Sequence, residues 1–503
     1  MNKLKKFFIN GIIAVSITLI IRMVSMAMNV YISAKLGSAA MGLLTLVMSV
    51  YGFAVTFASS GINLAVTRMV AESLGRGDKR RAIRSVRICL AYAAFFGLLA
   101  SLLLFCFSDY IGRVWLGDER TISSLKFLSI SLTPIALSSA LSGYFTAVRR
   151  VPKSAICSIF EQAVKIFLTV YGLVAIAPKG IEFACLAVVG GASLAEFSSF
   201  FLSFILFIHD KKKHLSSDKV KKKDRSLFRY MLSITLPVAF SSYARSALVT
   251  LEHMLIPRGL RKNGADAESA LSAYGMLHGM ALPLVLFPGA IPAAFASLII
   301  PEVAERHASG NQDGIKKVIS RVFKVTLGFS IAVAAIIFTF ADTLGEVVYK
   351  SSQTGIYIKI LAPLIPVMYL DNAVDAVLKG MGEQFASMKI NIADAALSVV
   401  LVYFLTPSVG LYGYIITIFI SELLNVSLSI MKLGKVSDFR IDIKNWVLIP
   451  LLISFSCCYF VKTIVNALFP AVSILSCVMS VLICAASIFS ILACGKKRKV
   501  DSI

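Results

Sequence analysis

An all-α membrane fold of about fourteen transmembrane helices follows from three features of the sequence. Long apolar runs come in series, charge is scarce, and the basic residues gather in short loops between the runs. Of 503 residues, 57% are hydrophobic and 16% charged, against about 45–50% and 25% in a soluble domain, and the surplus must face lipid. A hydrocarbon layer roughly 30 Å thick takes about 20 apolar residues per helical crossing. Such runs recur from Phe7 to Ala493 and leave no length for a second, soluble domain.

The expected spans are 7–34, 41–66, 85–108, 122–148, 155–177, 181–208, 229–256, 269–299, 321–341, 355–379, 386–406, 410–431, 446–468 and 471–493. The first follows a basic Met-Asn-Lys-Leu-Lys-Lys start. Its apolar stretch is too long for a signal peptide and no small-residue cleavage pattern follows, so it reads as an uncleaved helix. The eighth carries Pro283, Pro288 and Pro292 with Gly275, Gly279 and Gly289. Each proline removes a backbone hydrogen bond, so this helix is expected to bend or unwind, either as a structural kink or as the wall of a gate or cavity. The hydrophilic run from His209 to Arg225 reads as a solvated, orientation-setting linker, with anionic lipid headgroups as its functional alternative.

Of the 51 Lys and Arg residues, 37 fall on one side of this path, in the segments 3–6, 68–87, 149–153, 211–229, 306–324, 379–389, 432–444 and 496–499. The positive-inside rule places these loops and both termini in the cytoplasm, with the spans in the cytoplasmic (inner) membrane. A net charge of +24 would make nucleic acid the first partner of a soluble protein. Here the charge is topological, and no nucleic-acid partner is expected. The nine cysteines lie in or at the ends of apolar runs and read as small hydrophobes.

An internal repeat sets the architecture. One constant shift lays Ala71-Glu72 on Ala304-Glu305, Gly77-Asp78 on Gly310-Asn311, Lys126-Phe-Leu on Lys359-Ile-Leu and Glu161 on Asp394. After a short deletion, Glu196 falls on Glu422 and Leu202-Ser203 on Leu428-Ser429. The expected organisation is a six-helix lobe over 1–208, a basic linker over 209–228, a second six-helix lobe over 229–431, and terminal helices 13 and 14 with a basic tail over 432–503. Six crossings per copy make the repeats parallel, related by an axis along the membrane normal.

An ionisable residue at mid-membrane costs a few kcal/mol and so faces the bundle interior or water. Arg22 sits near mid-depth in the first span, with Thr18, Ser25 and Asn29 at helical spacing on its face. In the seventh, Arg245 and Glu252 are seven apart on one face, His253 adjoins them and Arg258 lies at the outer end. Arginine stays protonated when buried, and its planar fork suits phosphate, so a cavity lined by Arg22 and Arg245 prefers an anion. A structural ion pair for folding is the competing role of Arg22. Glu161 and Lys165, four apart, are expected to pair. Asp371, Asp375 and Lys379 share a face of the tenth span, where the acids could hold a coupling cation or anchor basic loops. Glu196, Asp394 and Glu422 read as interhelical hydrogen-bond partners.

There is no Gly-x-x-x-x-Gly-Lys-Ser/Thr loop, no His-Glu-x-x-His and no Cys-x-x-Cys, so nothing supports a catalytic or metal centre, and no cofactor is expected.

Several segments resemble the stage V sporulation protein B group: Arg22 with Lys35-Leu-Gly and Gly42, Gly61-Ile-Asn-Leu-Ala-Val-Thr-Arg-Met-Val-Ala-Glu72, Pro257-Arg-Gly-Leu260 and Ala273-Tyr-Gly-Met-Leu-His-Gly-Met-Ala-Leu-Pro283. Leu361-Ala-Pro-Leu-Ile-Pro366, Tyr369-Leu-Asp-Asn-Ala-Val-Asp375 and Gly380-Met-Gly-Glu-Gln384 extend the resemblance over nearly the whole chain. That group belongs to the polysaccharide transport branch of the multidrug, oligosaccharidyl-lipid and polysaccharide exporter superfamily. The resemblance implies two six-helix lobes around a central cavity, a terminal helix pair, alternating access, and an undecaprenyl-pyrophosphate-linked sugar as cargo, such as the peptidoglycan precursor of spore cortex. It also implies substrate-binding arginines in the first and seventh or eighth helices. Arg22 matches the first and Arg245 the second more loosely, while Glu252 stands where the group often shows aspartate.

The expected function is therefore a flippase, not an enzyme. Its substrate-binding candidates are Arg22, Ser25, Asn29, Arg245, Glu252 and Arg258, with Asp371 and Asp375 for a monovalent coupling cation. The chain is expected to act as a monomer among membrane lipids, with cell-envelope synthesis proteins as the partners to consider. A cation-coupled multidrug exporter is the first alternative. Such an exporter should carry a carboxylate, not Arg22, in the first lobe's cavity. A non-transporting scaffold of envelope assembly is the second, and paired lobes suit rocking better than docking.

Overall fold

The computed structural model describes residues 3–176, 180–214, 225–437 and 442–468, with 178, 439, 481 and 483–486 besides. Among them the chain is helical throughout, without strands. The helices are α1 Lys3–Ser59, α2 Ile62–Gly75, α3 Lys79–Tyr110, α4 Thr121–Ala147, α5 Val151–Ala175, α6 Ile181–His214, α7 Arg225–Lys262, α8 Ala267–Tyr274, α9 Leu282–Leu286, α10 Ala290–Ala308 and α11 Gln312–Thr339. They continue as α12 Ala341–Tyr349, α13 Ser352–Leu361, α14 Ile365–Gly380, α15 Gln384–Val409, α16 Leu411–Ser437 and α17 Ile449–Leu468.

Eleven stretches of the described residues are long and apolar enough to cross a bilayer. One of them, Ser16–Gly75, holds the first two expected spans, because α1 bends at Gly37 (φ 76°, ψ 176°) instead of stopping there. That backbone conformation suits glycine and few other residues. Helix α7, which carries Arg245, Glu252 and His253, is not among the eleven. Most of the fourteenth expected span, 471–493, lies outside the described residues, as do Cys477 and Cys494.

The repeat is visible in the helix boundaries. Helices α3 and α11 begin at Lys79 and Gln312, separated by the same interval as Ala71 and Ala304, and α5 and α15 likewise, at Val151 and Gln384. The ends of α4 and α14, Ala147 and Gly380, keep that interval too. The turns match as well. Gly77 (φ 75°) and Gly310 (φ 68°) are both left-handed, and the residue after each caps the next helix, Asp78 accepting from the Arg81 amide and Asn311 from the Gly314 amide, both at 2.8 Å. An oxygen-bearing side chain at that position satisfies one of the amides a helix start leaves open.

Contacts gather the chain into two units, one of residues 1–21 and 43–257, the other of 22–42 and 258–503. In the first, α7 is fastened along the end of α1 and the end of α2. The Tyr230 hydroxyl donates to Glu72 (2.7 Å), Tyr243 to the Phe57 carbonyl (3.0 Å) and Thr250 to the Ser49 carbonyl (3.1 Å). In the second unit, residues 22–42 of α1 cross α8 at glycines. A Cβ on Gly42 would stand 2.0 Å from the Leu271 carbonyl oxygen, and one on Gly275 2.0 Å from that of Ser38. The second unit's core joins Val318 and Phe323 of α11 to Val374 and Val377 of α14, Leu433 of α16 and Trp446.

The proline-rich eighth span is broken as expected. After α8 the backbone widens to a π-turn over Gly275–Ala281, returns to α9, tightens to a 3₁₀ turn at Phe287–Gly289 and resumes as α10. Pro283 and Pro288 supply no amide hydrogen, so the ladder cannot run straight through. Two carbonyls in this segment accept from tyrosine hydroxyls, Met280 from Tyr349 (2.9 Å) and Val285 from Tyr369 (2.7 Å). Side chains satisfy the backbone where lipid could not.

Candidate functional site

Helix α1 places Arg22 near the middle of its first arm, which runs from Lys3 to the bend at Gly37. Arg22 and Ser25 are exposed and Asn29 is half-buried. Among the described residues Arg22 has no carboxylate partner, and the buried Oδ1 of Asn29 receives no hydrogen bond. An arginine half-way along a crossing helix is too costly to leave in hydrocarbon, so exposure here means contact with water or a polar ligand.

In α7, Arg245 is exposed and Glu252, two turns on, is half-buried. Arg245 likewise has no carboxylate partner among the described residues. Arg258 is exposed just beyond Pro257. The six substrate candidates divide between the units: Arg245 and Glu252 in the first, and Arg22, Ser25, Asn29 and Arg258 in the second.

The acids of α14 are held differently from each other. Asp375 receives Lys379 Nζ at 3.4 Å and the Ser387 hydroxyl of α15. Asp371 receives Asn425 Nδ2 of α16 at 3.4 Å, while Asn425, 5% exposed, has an Oδ1 that receives no hydrogen bond. Asp394 accepts from the Ser421 hydroxyl, which also accepts from Ser398 at 2.8 Å, so α15 and α16 are joined by a hydrogen-bonded chain. Among the described residues no group of three His, Cys, Asp or Glu side chains is placed to hold a metal ion.

Three polar groupings carry more contacts than sequence spacing indicates. Glu161 of α5 meets Glu196 and Ser199 of α6, while Lys165, the partner expected from sequence spacing, acts on it through charge. His278, inside the π-turn, hydrogen-bonds Tyr414 of α16 and stacks on its ring at 5.4 Å between centroids. Asp210, placed by sequence in a solvated linker, belongs to α6 and is 1% exposed, receiving Tyr144 at 2.8 Å together with Arg150 and Lys153. Its signal was present in the sequence, as the first acid of a run otherwise rich in lysine. The rest of that run, 215–224, lies outside the described residues.

Comparison with known proteins places this arrangement. The model of the polysaccharide biosynthesis protein family matches residues 8–307, more than half of the chain. The chain belongs to that family. A second model, MatE, matches residues 266–404. Stage V sporulation protein B of Bacillus subtilis (strain 168) is 25% identical over 451 residues, covering 88% of this chain and 87% of that protein. Among solved structures, the lipid II flippase MurJ in an inward closed conformation aligns with a TM-score of 0.70 at 12% identity, over 97% of this chain and 99% of the other. An inward-facing multidrug resistance MATE family transporter aligns at 0.66 and 14% identity, over 86% and 100%. The resemblance to the stage V sporulation protein B group therefore holds, and the chain is a multi-span membrane transporter of that superfamily, not an enzyme.

Proposed function

We propose that this protein flips an undecaprenyl-pyrophosphate-linked oligosaccharide across the cytoplasmic membrane by alternating access, with both termini in the cytoplasm. The observation that carries the reading is the pair Arg22 and Arg245, the first in a stretch long and apolar enough to cross a bilayer and the second in α7, the seventh expected span, both exposed and without a carboxylate partner among the described residues. A permanent cation in that position needs an anion that arrives with the cargo, and a pyrophosphate supplies one with the geometry a guanidinium fork matches. Ser25 and Asn29 add neutral hydrogen-bonding groups on the Arg22 face, and Glu252 and Arg258 suit the polar sugar. The first cargo to test is the peptidoglycan precursor, because the relatives include a lipid II flippase and a sporulation protein.

Asp371, with Asn425 against it, is the candidate for a coupling monovalent cation. Asp375, engaged by Lys379 and Ser387, fits the anchoring of α14 to α15 better. The MatE match over 266–404 favours a second reading, cation-coupled drug export.

One experiment separates the two readings. The pure protein is reconstituted into vesicles with labelled lipid-linked sugars in one leaflet, and their arrival in the other is followed. Transport that Arg22→Ala and Arg245→Ala abolish is the expected result. Movement of organic cations with no movement of any pyrophosphate-linked sugar would overturn it.

A further inference from the structure

At one end of the first unit, the α2–α3 turn, the C-terminus of α4 and the C-terminus of α6 enclose a cavity of about 230 Å³, the space of several waters at roughly 30 Å³ each. Its wall carries Lys79, Arg149 and Arg150, and its floor Tyr144 and Asp210. Asp210 is already engaged by Arg150, Lys153 and Tyr144, so it does not neutralise the other two cations. Lys79 and Arg149 are exposed, and neither has an acidic partner among the described residues.

Arg149 is there at a conformational cost. It closes α4 with φ 57°, and its amide and that of Arg150 cap the helix end by donating to the Thr146 and Phe145 carbonyls at 3.0 and 2.8 Å. This left-handed position disfavours any side chain, and glycine ordinarily fills it. The internal repeat supplies a control: at the equivalent place in the second copy, the end of α14, stands Gly382 with φ 81°. The other wall positions correspond to Gln312 and Glu383, and Asp210, past the deletion, to Val436. The fold therefore makes this helix end with glycine and without the cationic set. An unfavourable backbone conformation kept under a charged side chain points to a role for the side chain.

We infer that this cavity binds a phosphate group, and that the phosphate is that of an anionic lipid headgroup at the membrane surface. The guanidiniums of Arg149 and Arg150 and the Lys79 ammonium hold the phosphate oxygens, while Asp210 fixes Arg150 in place. A free phosphate offers the same chemistry, and the test tells the two sources apart. The inference does not depend on the transport reading, because the site lies at the end of one unit and moves no cargo.

The test uses the full chain, purified in micelles containing phosphatidylglycerol or phosphatidylcholine. Retained lipid is counted by native mass spectrometry, and melting is followed with and without inorganic phosphate. Arg149→Gly removes the cation while giving the backbone its preferred residue, so the variant should melt no lower than the parent in phosphatidylcholine. It should retain phosphatidylglycerol roughly fivefold less well, Lys79→Gln should do the same, and the double variant should lose more. Arg149→Asn, which also tolerates this φ, should behave as Arg149→Gly does. If inorganic phosphate raises the parent's melting temperature but not the double variant's, and phosphatidylglycerol is held no better than phosphatidylcholine, the phosphate site stands and its lipid source is overturned. If the double variant retains phosphatidylglycerol and responds to phosphate as the parent does, the site itself is overturned.

Discussion

At Arg22 the guanidinium lies about half-way along the first arm of α1, inside a stretch long and apolar enough to cross the membrane, and the described residues offer it no carboxylate partner. Charge and fork geometry predict a graded series. Arg22→Lys keeps the charge but loses bidentate contact, and should retain partial transport. Arg22→Ala and Arg22→Glu should abolish it, since a hydrogen bond to a charged group is worth about 1.5–3 kcal/mol, on the order of tenfold to a hundredfold in affinity. A structural ion pair would show otherwise, with Arg22→Glu rescued by reversing a carboxylate on a neighbouring helix. Initial rates of lipid-linked sugar transport at equal membrane abundance decide between these. Asp210 behaves as the opposite kind of residue. Its removal leaves Arg150, Lys153 and the Tyr144 hydroxyl without their common acceptor, so Asp210→Ala should lower stability toward the small end of the roughly 3–5 kcal/mol cost of breaking a buried pair. The two cations, 30% and 26% exposed, can turn toward water. Thermal melting in detergent measures this. Sequence reasoning singles out Arg22 because a charge in an apolar run stands out. It misplaced Asp210 because a carboxylate among lysines looks solvated until the ends of α4, α5 and α6 are brought together.

Among the helices, those with clean boundaries were the legible ones. The span 386–406 became α15, Gln384–Val409, and 410–431 became α16, Leu411–Ser437. Lengths ran short wherever polar residues continue a helix past the bilayer, as α6 does to His214 and α7 does from Arg225 to Lys262. Hydropathy reports lipid contact, and helical hydrogen bonding does not stop at that boundary. The prolines of the eighth span announced a break, but its form, a π-turn and then a 3₁₀ turn, depends on which carbonyls Tyr349 and Tyr369 can reach, and no single-helix pattern contains that. The glycines of this region carry a prediction. A Cβ on Gly275 meets backbone that cannot rotate away, so Gly275→Ala should destabilise the second unit by about 1–3 kcal/mol, the usual penalty of overpacking. Gly434, inside α16 with open space at its Cβ, is the control. Gly434→Ala should be neutral or stabilising by up to about 1 kcal/mol. Melting of the two variants beside the parent tests the difference, and equal melting of Gly275→Ala and the parent would show that the crossing with residues 38–42 is looser than drawn.

For the whole molecule, the repeat and the charge bias together fix an orientation that can be tested. Within the first unit, the basic α2–α3 turn, the end of α4 and the end of α6 line one cavity and therefore share an end. Ion pairs do not tell the two ends of this unit apart: Arg68 pairs with Glu72 and Lys153 with Asp210 on the basic side, and Arg113 with Glu119, Arg120 with Asp118 and Lys126 with Asp109 at the other, at 3.5, 2.6 and 2.8 Å. The last three sit at the α3–α4 connection and the helix ends beside it, which an odd number of expected crossings separates from the basic set. In the second unit, Lys359 of α13 pairs with Asp342 of α12 at 3.1 Å, at the place the repeat makes equivalent. The positive-inside rule counts lysine and arginine and gives acids little weight, so the deciding fact is the unequal number, 37 of 51 on one side. An even number of crossings then predicts that both ends of the chain return to the cytoplasm. Single cysteines placed at positions 2 and 500, in a background with Cys106 and Cys457 replaced because neither is fully buried, should resist a membrane-impermeant thiol reagent in intact cells and react once the cells are opened. A cysteine at position 119, in the α3–α4 connection, should show the reverse order. Labelling of position 2 or 500 from outside intact cells would invert the topology, and with it the side from which a pyrophosphate-linked sugar first meets Arg22.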